Sequence, residues 1–176
     1  LAKADVFVFD KTGTLTMAEP TVHQVIPFGG QTREDVLRLA ACLEEHFPHP
    51  VARAVVRQAR VEGIVHAEEH SRVEYVAAHG VASWYKGKRV LLGSRHFVHD
   101  DEGVDMGEAV ETARELAEEG HSLLYLAVGD ELAGIIALDD PLRPEAPEAI
   151  KALRDAGIKR IVMLTGDLDG MAARIA

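Results

Sequence analysis

Asp10 closes the apolar run Val6-Phe7-Val8-Phe9 and opens the stretch Lys11-Thr12-Gly13-Thr14-Leu15-Thr16. Four β-favouring residues predict a buried parallel strand, and Gly13 predicts the turn that ends it, so Asp10 falls on the C-terminal edge of a sheet. In open α/β sheets ligands bind at that edge. A carboxylate held there can attack a phosphoryl group and carry it as an acyl-phosphate, splitting one hard transfer into two easier ones. The hydroxyls of Thr12 and Thr14 and the N–H groups of the turn can hold phosphoryl oxygens, while Lys11 offsets charge nearby. Taken alone, an Asp-x-Thr-Gly is more readily read as the cap of an ordinary strand-to-loop turn. A second stretch has the same layout: Arg160-Ile161-Val162-Met163-Leu164 predicts a strand, and Thr165-Gly166-Asp167 follows it. If the two strands are neighbours in one parallel sheet, the Thr165 hydroxyl and the Gly166 N–H can face a phosphoryl group on Asp10.

A different chemistry is offered by Glu44 and His49. Pro50 suits the first position of a helix, which holds His49 at the helix entrance on a stiff backbone. Its ring can there stack on or hydrogen-bond a flat base, or simply cap the helix. Two further histidine-containing stretches, 66–70 and 96–103, read as acidic surface. The first lacks the order of a His-Glu-x-x-His zinc site, and no metal is assigned to either.

The elements that must position these residues follow from periodicity. Residues 21–26 alternate as a strand, and Thr32 caps a helix to about residue 45 with Glu34 and Asp35 in its first turn. A second helix starts at Pro50. Residues 72–77, 81–85 and 89–92 read as a meander turning at Lys86-Gly87-Lys88, residues 107–119 as a helix, and 122–128 and 132–138 as two more strands. Pro144 opens a helix to about residue 156, with Gly157 as its cap.

Composition bounds the rest. With 176 residues, 47% hydrophobic and 27% charged, the chain has the makeup of one globular domain or two small ones. A formal charge of −10 argues against nucleic acid or an anionic membrane as partner, and requires any nucleotide site to gather positive potential locally. Cys42 is the sole cysteine, which excludes an intrachain disulfide and fits a reducing compartment. No apolar run is long enough for a membrane span. The chain opens at Leu1 rather than Met, consistent with an excised piece of a longer protein.

The heptapeptide Asp10 to Thr16 resembles the phosphorylation motif of the P-type ATPases, cation pumps whose catalytic core belongs to the haloacid-dehalogenase-like superfamily. The stretch from Glu44 through His49-Pro50 to Ala54 is similar to the His-Pro motif of the heavy-metal class. Met163 to Asp167 resembles the family's second catalytic loop, and Asp140 to Pro144 its hinge. The resemblance implies that Asp10 is the nucleophile and that Glu44 and His49 place adenine. It further implies base contacts at Ala78, Gly80, Gly93 and Ser94, with Ala78 and Ser94 standing where the family has Gly and Asn. The same resemblance implies that Asp167 lies near the nucleotide or interdomain gap and that Asp140 and Arg143 form the hinge. ATP and Mg²⁺ are the implied cofactors, with the Asp10 carboxylate and the Thr12 carbonyl as Mg²⁺ ligands. The family's third Mg²⁺ ligand, in a Gly-Asp-Gly-x-Asn-Asp loop, and its phosphate-facing lysine are not found in these 176 residues.

The expected fold is α/β: a partial Rossmann-like, haloacid-dehalogenase-like phosphorylation domain in two segments, 1–20 and 140–176, around an inserted α+β nucleotide-binding domain, 21–139. The expected function is that of the cytoplasmic ATP-binding and phosphorylation part of a heavy-metal pump. Its partners would be the pump's membrane and actuator domains, with self-association through the truncated sheet also open. A soluble phosphohydrolase with a large cap, or a non-catalytic nucleotide-binding fragment, are the other readings.

Overall fold

Strand pairing sorts the described residues into two sheets. Those strands are β1 (Val6–Asp10), β2 (Thr21–Pro27), β3 (Glu74–Val76), β4 (Gly80–Tyr85), β5 (Lys88–Gly93), β6 (Ser122–Val128), β7 (Glu131–Asp139) and β8 (Arg160–Leu164). The computed structural model describes residues 4–45, 47, 49–65, 73–76 and 79–164. β1 and β8 form a parallel pair, and the other six form an antiparallel sheet in the order β2-β7-β6-β5-β4-β3. The fold is therefore mixed α/β, as expected.

Local chemistry fixes the helices. In α1 (Arg33–Glu44) the Thr32 side chain accepts from the Asp35 amide while Asp35 accepts back from Thr32, a reciprocal cap that satisfies two otherwise orphaned donors. In α2 (Pro50–Val61) Pro50 takes the first helical position and His49 is the cap. These two helices pack Val36, Leu37, Leu43 and Val55 onto one face of the large sheet, against Val81, Leu92 and Ile136. The opposite face is covered by Phe97, Val98 and α3 (Ala109–Glu118), whose Ala113 and Leu116 meet Leu91, Tyr125 and Ile135. Burial on both faces explains why β7 is apolar from Leu132 to Leu138 without alternation. The Lys86-Gly87 turn between β4 and β5 has positive φ at both residues, 49° and 78°, the hairpin geometry whose twist matches its strands.

Three expectations need correction. β1 forms and pairs in parallel, but it is not buried: Val6 and Val8 are 40% and 49% exposed. With β8 as its neighbour, and only Phe7 and Phe9 turned to the half-buried side, that strand has no second covering layer among the described residues. Residues 96–103 are not simply a surface loop, since a helical turn, His96–Asp101, drives Phe97 and Val98 into the core while His96, Asp100 and Asp101 on either side of them stay exposed. Finally, α4 is Ala146–Asp155, so Pro144 precedes the helix rather than opening it.

Candidate functional site

Asp10 ends β1 in register with Leu164 of β8, so the two predicted loops leave the same edge of one parallel pair. The Asp10 carboxylate is exposed there, open to a ligand. Thr165, Gly166 and Asp167 lie outside the described residues, as do the side chains of Lys11 and Thr12. After Asp10 the chain makes a helical turn, Lys11–Leu15, with Gly13 at φ 79°.

That turn is braced by the segment that follows β7. The Met17 amide donates to the Pro141 carbonyl at 2.9 Å and the Arg143 amide to the Leu15 carbonyl at 2.8 Å, so the two crossings pair antiparallel at Thr16 and Leu142. Thr16, fully buried, donates through Oγ1 to Asp140 Oδ2 at 2.6 Å and accepts from the Gly13 amide at 3.2 Å. Arg143 Nη2 reaches the Gly13 carbonyl at 3.1 Å, which sets a cation beside the Asp10 turn. Sequence reading gave Thr16 no role of its own. Its only signal was membership of the heptapeptide.

The second set gathers around α1 and α2. Glu44, the last residue of α1, is 3% exposed, and burial pushes its carboxyl up to about 7. His49 Nδ1 accepts from the Ala52 amide at 3.4 Å, which leaves the proton of the neutral ring on Nε2. Burial and the nearby Arg53 charge both hold His49 below its usual value, favouring that neutral ring. Nε2 stands 3.3 Å from Glu44 Oε2 without hydrogen-bond alignment, so this buried oxygen has no hydrogen-bond partner among the described residues. Phe47, between them in sequence, packs at a tilt against Tyr75 of β3, ring centroids 5.5 Å apart, and so ties the loop to the sheet. A cleft of about 460 Å³ opens beside Glu44, lined also by Phe47, Pro50, Arg53, Arg57 and Glu19. His49 and the glycines discussed next do not line it, so the cleft adjoins this set rather than containing it.

Gly80 and Gly93 face each other across β4 and β5. A Cβ on Gly80 would meet the Leu92 carbonyl, and one on Gly93 the His79 carbonyl and the Phe97 ring. The missing side chains are thus filled by backbone and by Phe97, a packing reason that stands whether or not a base approaches. Ser94 Oγ accepts from the Phe97 amide at 3.2 Å and caps the next turn. Ala78 lies outside the described residues.

The sequence from residue 4 to residue 176 matches the family model of the haloacid dehalogenase-like hydrolases. The chain belongs to that family. Within it, a "Zinc-exporting P-type ATPase" of Mycobacterium marinum is 38% identical over 99% of this chain and 24% of its own length. The crystal structure of a zinc-transporting PIB-type ATPase in the E2.Pi state superimposes with a TM-score of 0.73 at 32% identity, covering 99% of this chain and 28% of that one. The N-domain of a copper-transporting P-type ATPase matches at 28% identity and a TM-score of 0.53, covering 69% of this chain and 99% of its own. This haloacid dehalogenase-like chain therefore falls on the catalytic region of heavy-metal P-type ATPases and spans about a quarter of the relative's length. No helix among its described residues is long and apolar enough to cross a membrane.

Proposed function

We propose that this chain is the cytoplasmic ATP-binding and phosphorylation region of a heavy-metal-transporting P-type pump, in which residues 21–139 hold ATP and Asp10 accepts its γ-phosphoryl group. The observation that carries the reading is the unpartnered Glu44 Oε2, buried 3.3 Å from His49 Nε2. A buried polar atom without a partner costs about 1–3 kcal/mol, and an amino group on the edge of a flat base would recover it. Glu44, near neutrality, can also present its proton to a ring nitrogen. His49 and Pro50 at the entrance of α2 would position the base, with Gly80, Gly93, Ser94 and Ala78 on its other side. Arg53, Arg57 and Arg60 line the adjoining cleft together with Glu19 and Glu45, and these three cations would supply the local positive potential that a chain of charge −10 needs to hold a polyphosphate.

At the other sheet, the exposed Asp10 carboxylate attacks the γ-phosphorus in line, its O–P bond forms as the bond to ADP breaks, and an acyl-phosphate remains on Asp10. Thr165, Gly166 and Lys11 would hold the phosphoryl oxygens, with Asp167 near the gap. Arg143, anchored on the Gly13 carbonyl, keeps the turn in place, and Asp140 ties it to the sheet through Thr16. The Asp10 carboxylate and the Thr12 carbonyl are hard oxygen donors of the kind Mg²⁺ takes, and would hold it. Bound there, Mg²⁺ supplies charge neutralisation for the transferred group. We assign 1–20 and 140–176 to the phosphorylation domain, and the membrane and actuator parts of the pump to the three-quarters of the relative's length that this chain does not span.

The test is calorimetry of ATP binding with His49→Asn, because Asn keeps a capping side chain for α2 while removing the imidazole. Affinity should fall by roughly 5- to 150-fold, the loss of a buried hydrogen bond and its stacking surface. An unchanged affinity overturns the base site.

A further inference from the structure

Three neighbouring strands, β2, β7 and β6, bring three residues distant in sequence to one end of the large sheet. His23 is the extra residue of a bulge in β2, between Val22 and Gln24. His121 immediately precedes β6, and Asp139 ends β7. Bulges re-aim a side chain, and here the His23 ring stacks on that of His121 with centroids 4.1 Å apart. Both rings turn Nδ1 toward the same carboxylate: His23 Nδ1 is 3.1 Å from Asp139 Oδ2, and His121 Nδ1 is 2.7 Å from Oδ1. His121 is 4% exposed, whereas the side chain of His23 is 44% exposed and leaves one side of the cluster open to water.

The buried ring is caught between two carboxylates. Its Nε2 stands 3.5 Å from Glu119 Oε2 while Nδ1 faces Asp139. A neutral imidazole carries one N–H and cannot donate to both, so only a second proton or a cation on a ring nitrogen satisfies both carboxylates. A cation on Nδ1 removes the conflict and leaves Nε2–H to Glu119, the carboxylate–histidine–metal arrangement that fixes the ring of a ligating histidine. We propose that His23, His121 and Asp139 form a binding site for one divalent transition-metal ion, with water in the fourth position. The ligand atoms already lie within 4.8 Å of one another. Metal–ligand bonds of about 2.0–2.1 Å set tetrahedral neighbours about 3.3 Å apart. The two contacts to Asp139, 2.7 and 3.1 Å, are a little shorter than that and no pair of ligand atoms exceeds 4.8 Å, so seating an ion takes only a modest shift of the rings. Two imidazoles and one carboxylate select zinc-like ions over Mg²⁺, which takes oxygen ligands. The ion would pin β2, β6 and β7 together beside Asp140, where the chain crosses to the smaller sheet. This site is independent of the nucleotide reading.

Titration of the 176-residue chain with Co²⁺ tests it. One equivalent should give the visible absorption of four-coordinate cobalt, and one equivalent of Zn²⁺, but not Mg²⁺, should abolish it. His23→Ala, at the more exposed ligand, should weaken binding by more than about 100-fold, beyond what loss of an outer-shell partner causes. Asp139→Asn, nearly isosteric, should do the same. His96→Ala, in the separate cluster of His79, His96 and Asp101, should leave binding unchanged. Absence of the band, or its survival in His23→Ala and Asp139→Asn, overturns the site, as does its loss in His96→Ala.

Discussion

Glu44 makes a stability signature that a single substitution can isolate. Its carboxyl ionises near 4.5 in the unfolded chain and at about 7 in the folded one, because burial disfavours the charge. Between those values the folded chain keeps a proton that the unfolded chain has released, so stability falls as pH rises from about 4.5 to about 7 and is flat beyond. At about 1.4 kcal/mol per pH unit, the fall reaches about 3 kcal/mol. His49 acts in the opposite sense over part of that range: held below its usual value, it favours the folded state as pH rises toward 6.5. The difference between the native chain and Glu44→Gln removes this second effect. Urea midpoints at pH 5 and pH 7.5 should therefore show the Gln variant losing less stability with rising pH than the native chain. Equal losses would mean that Glu44 is ionised in the folded protein at neutral pH.

The meander holds the glycines that sequence alone pointed to for another reason. Gly93 needs no unusual backbone angle, so the cost of a side chain there is steric: a Cβ would press on the His79 carbonyl and the Phe97 ring. Gly93→Ala should force β4 and β5 apart and cost about 1–3 kcal/mol. Gly87→Ala, in open space at the turn, should show only the strain of its positive φ, 78°. Urea unfolding of the two variants compares them, and a Gly93→Ala chain as stable as the native one would refute the packing account. The contrast shows what sequence can carry. The Thr32 and Asp35 cap, the Pro50 start and the Lys86-Gly87 turn are local, and each was legible because a few adjacent residues determine it. Thr16 and Asp140 are 124 positions apart, and His23, His121 and Asp139 meet only through the strand order, so no local pattern announces them. The exposure of β1 was missed for the same reason, because an apolar run states a preference for burial and its neighbours decide whether it is met. Phe97 and Val98 escaped notice because the charges that follow them masked a buried helical turn.

Across the whole molecule the two sheets differ in what holds them. The six-stranded sheet has helices or turns packed on both faces, and residues such as Leu37, Val55, Leu126 and Ile136 are completely or almost completely buried. The β1–β8 pair has two strands and two valines open to solvent, and α4, which leads into β8, has Ala146 as its buried residue. Its ion pair between Lys159 and Asp5, 2.8 Å long, joins two side chains that are 77% and 66% exposed and adds little. Two strands alone are marginal in water, so the small sheet should open without unfolding the large one. Native-state hydrogen exchange resolves this directly. Amides of β1 and β8 should exchange at least about tenfold faster than those of β6 and β7, through an opening that leaves the large sheet closed. Because Glu44, His49 and Gly80 all belong to the large sheet and its helices, saturating ATP should raise protection in α1, α2 and β4 and leave β1 and β8 unchanged. Equal protection in both sheets, lost together in a single urea transition, would show one cooperative unit and refute this division.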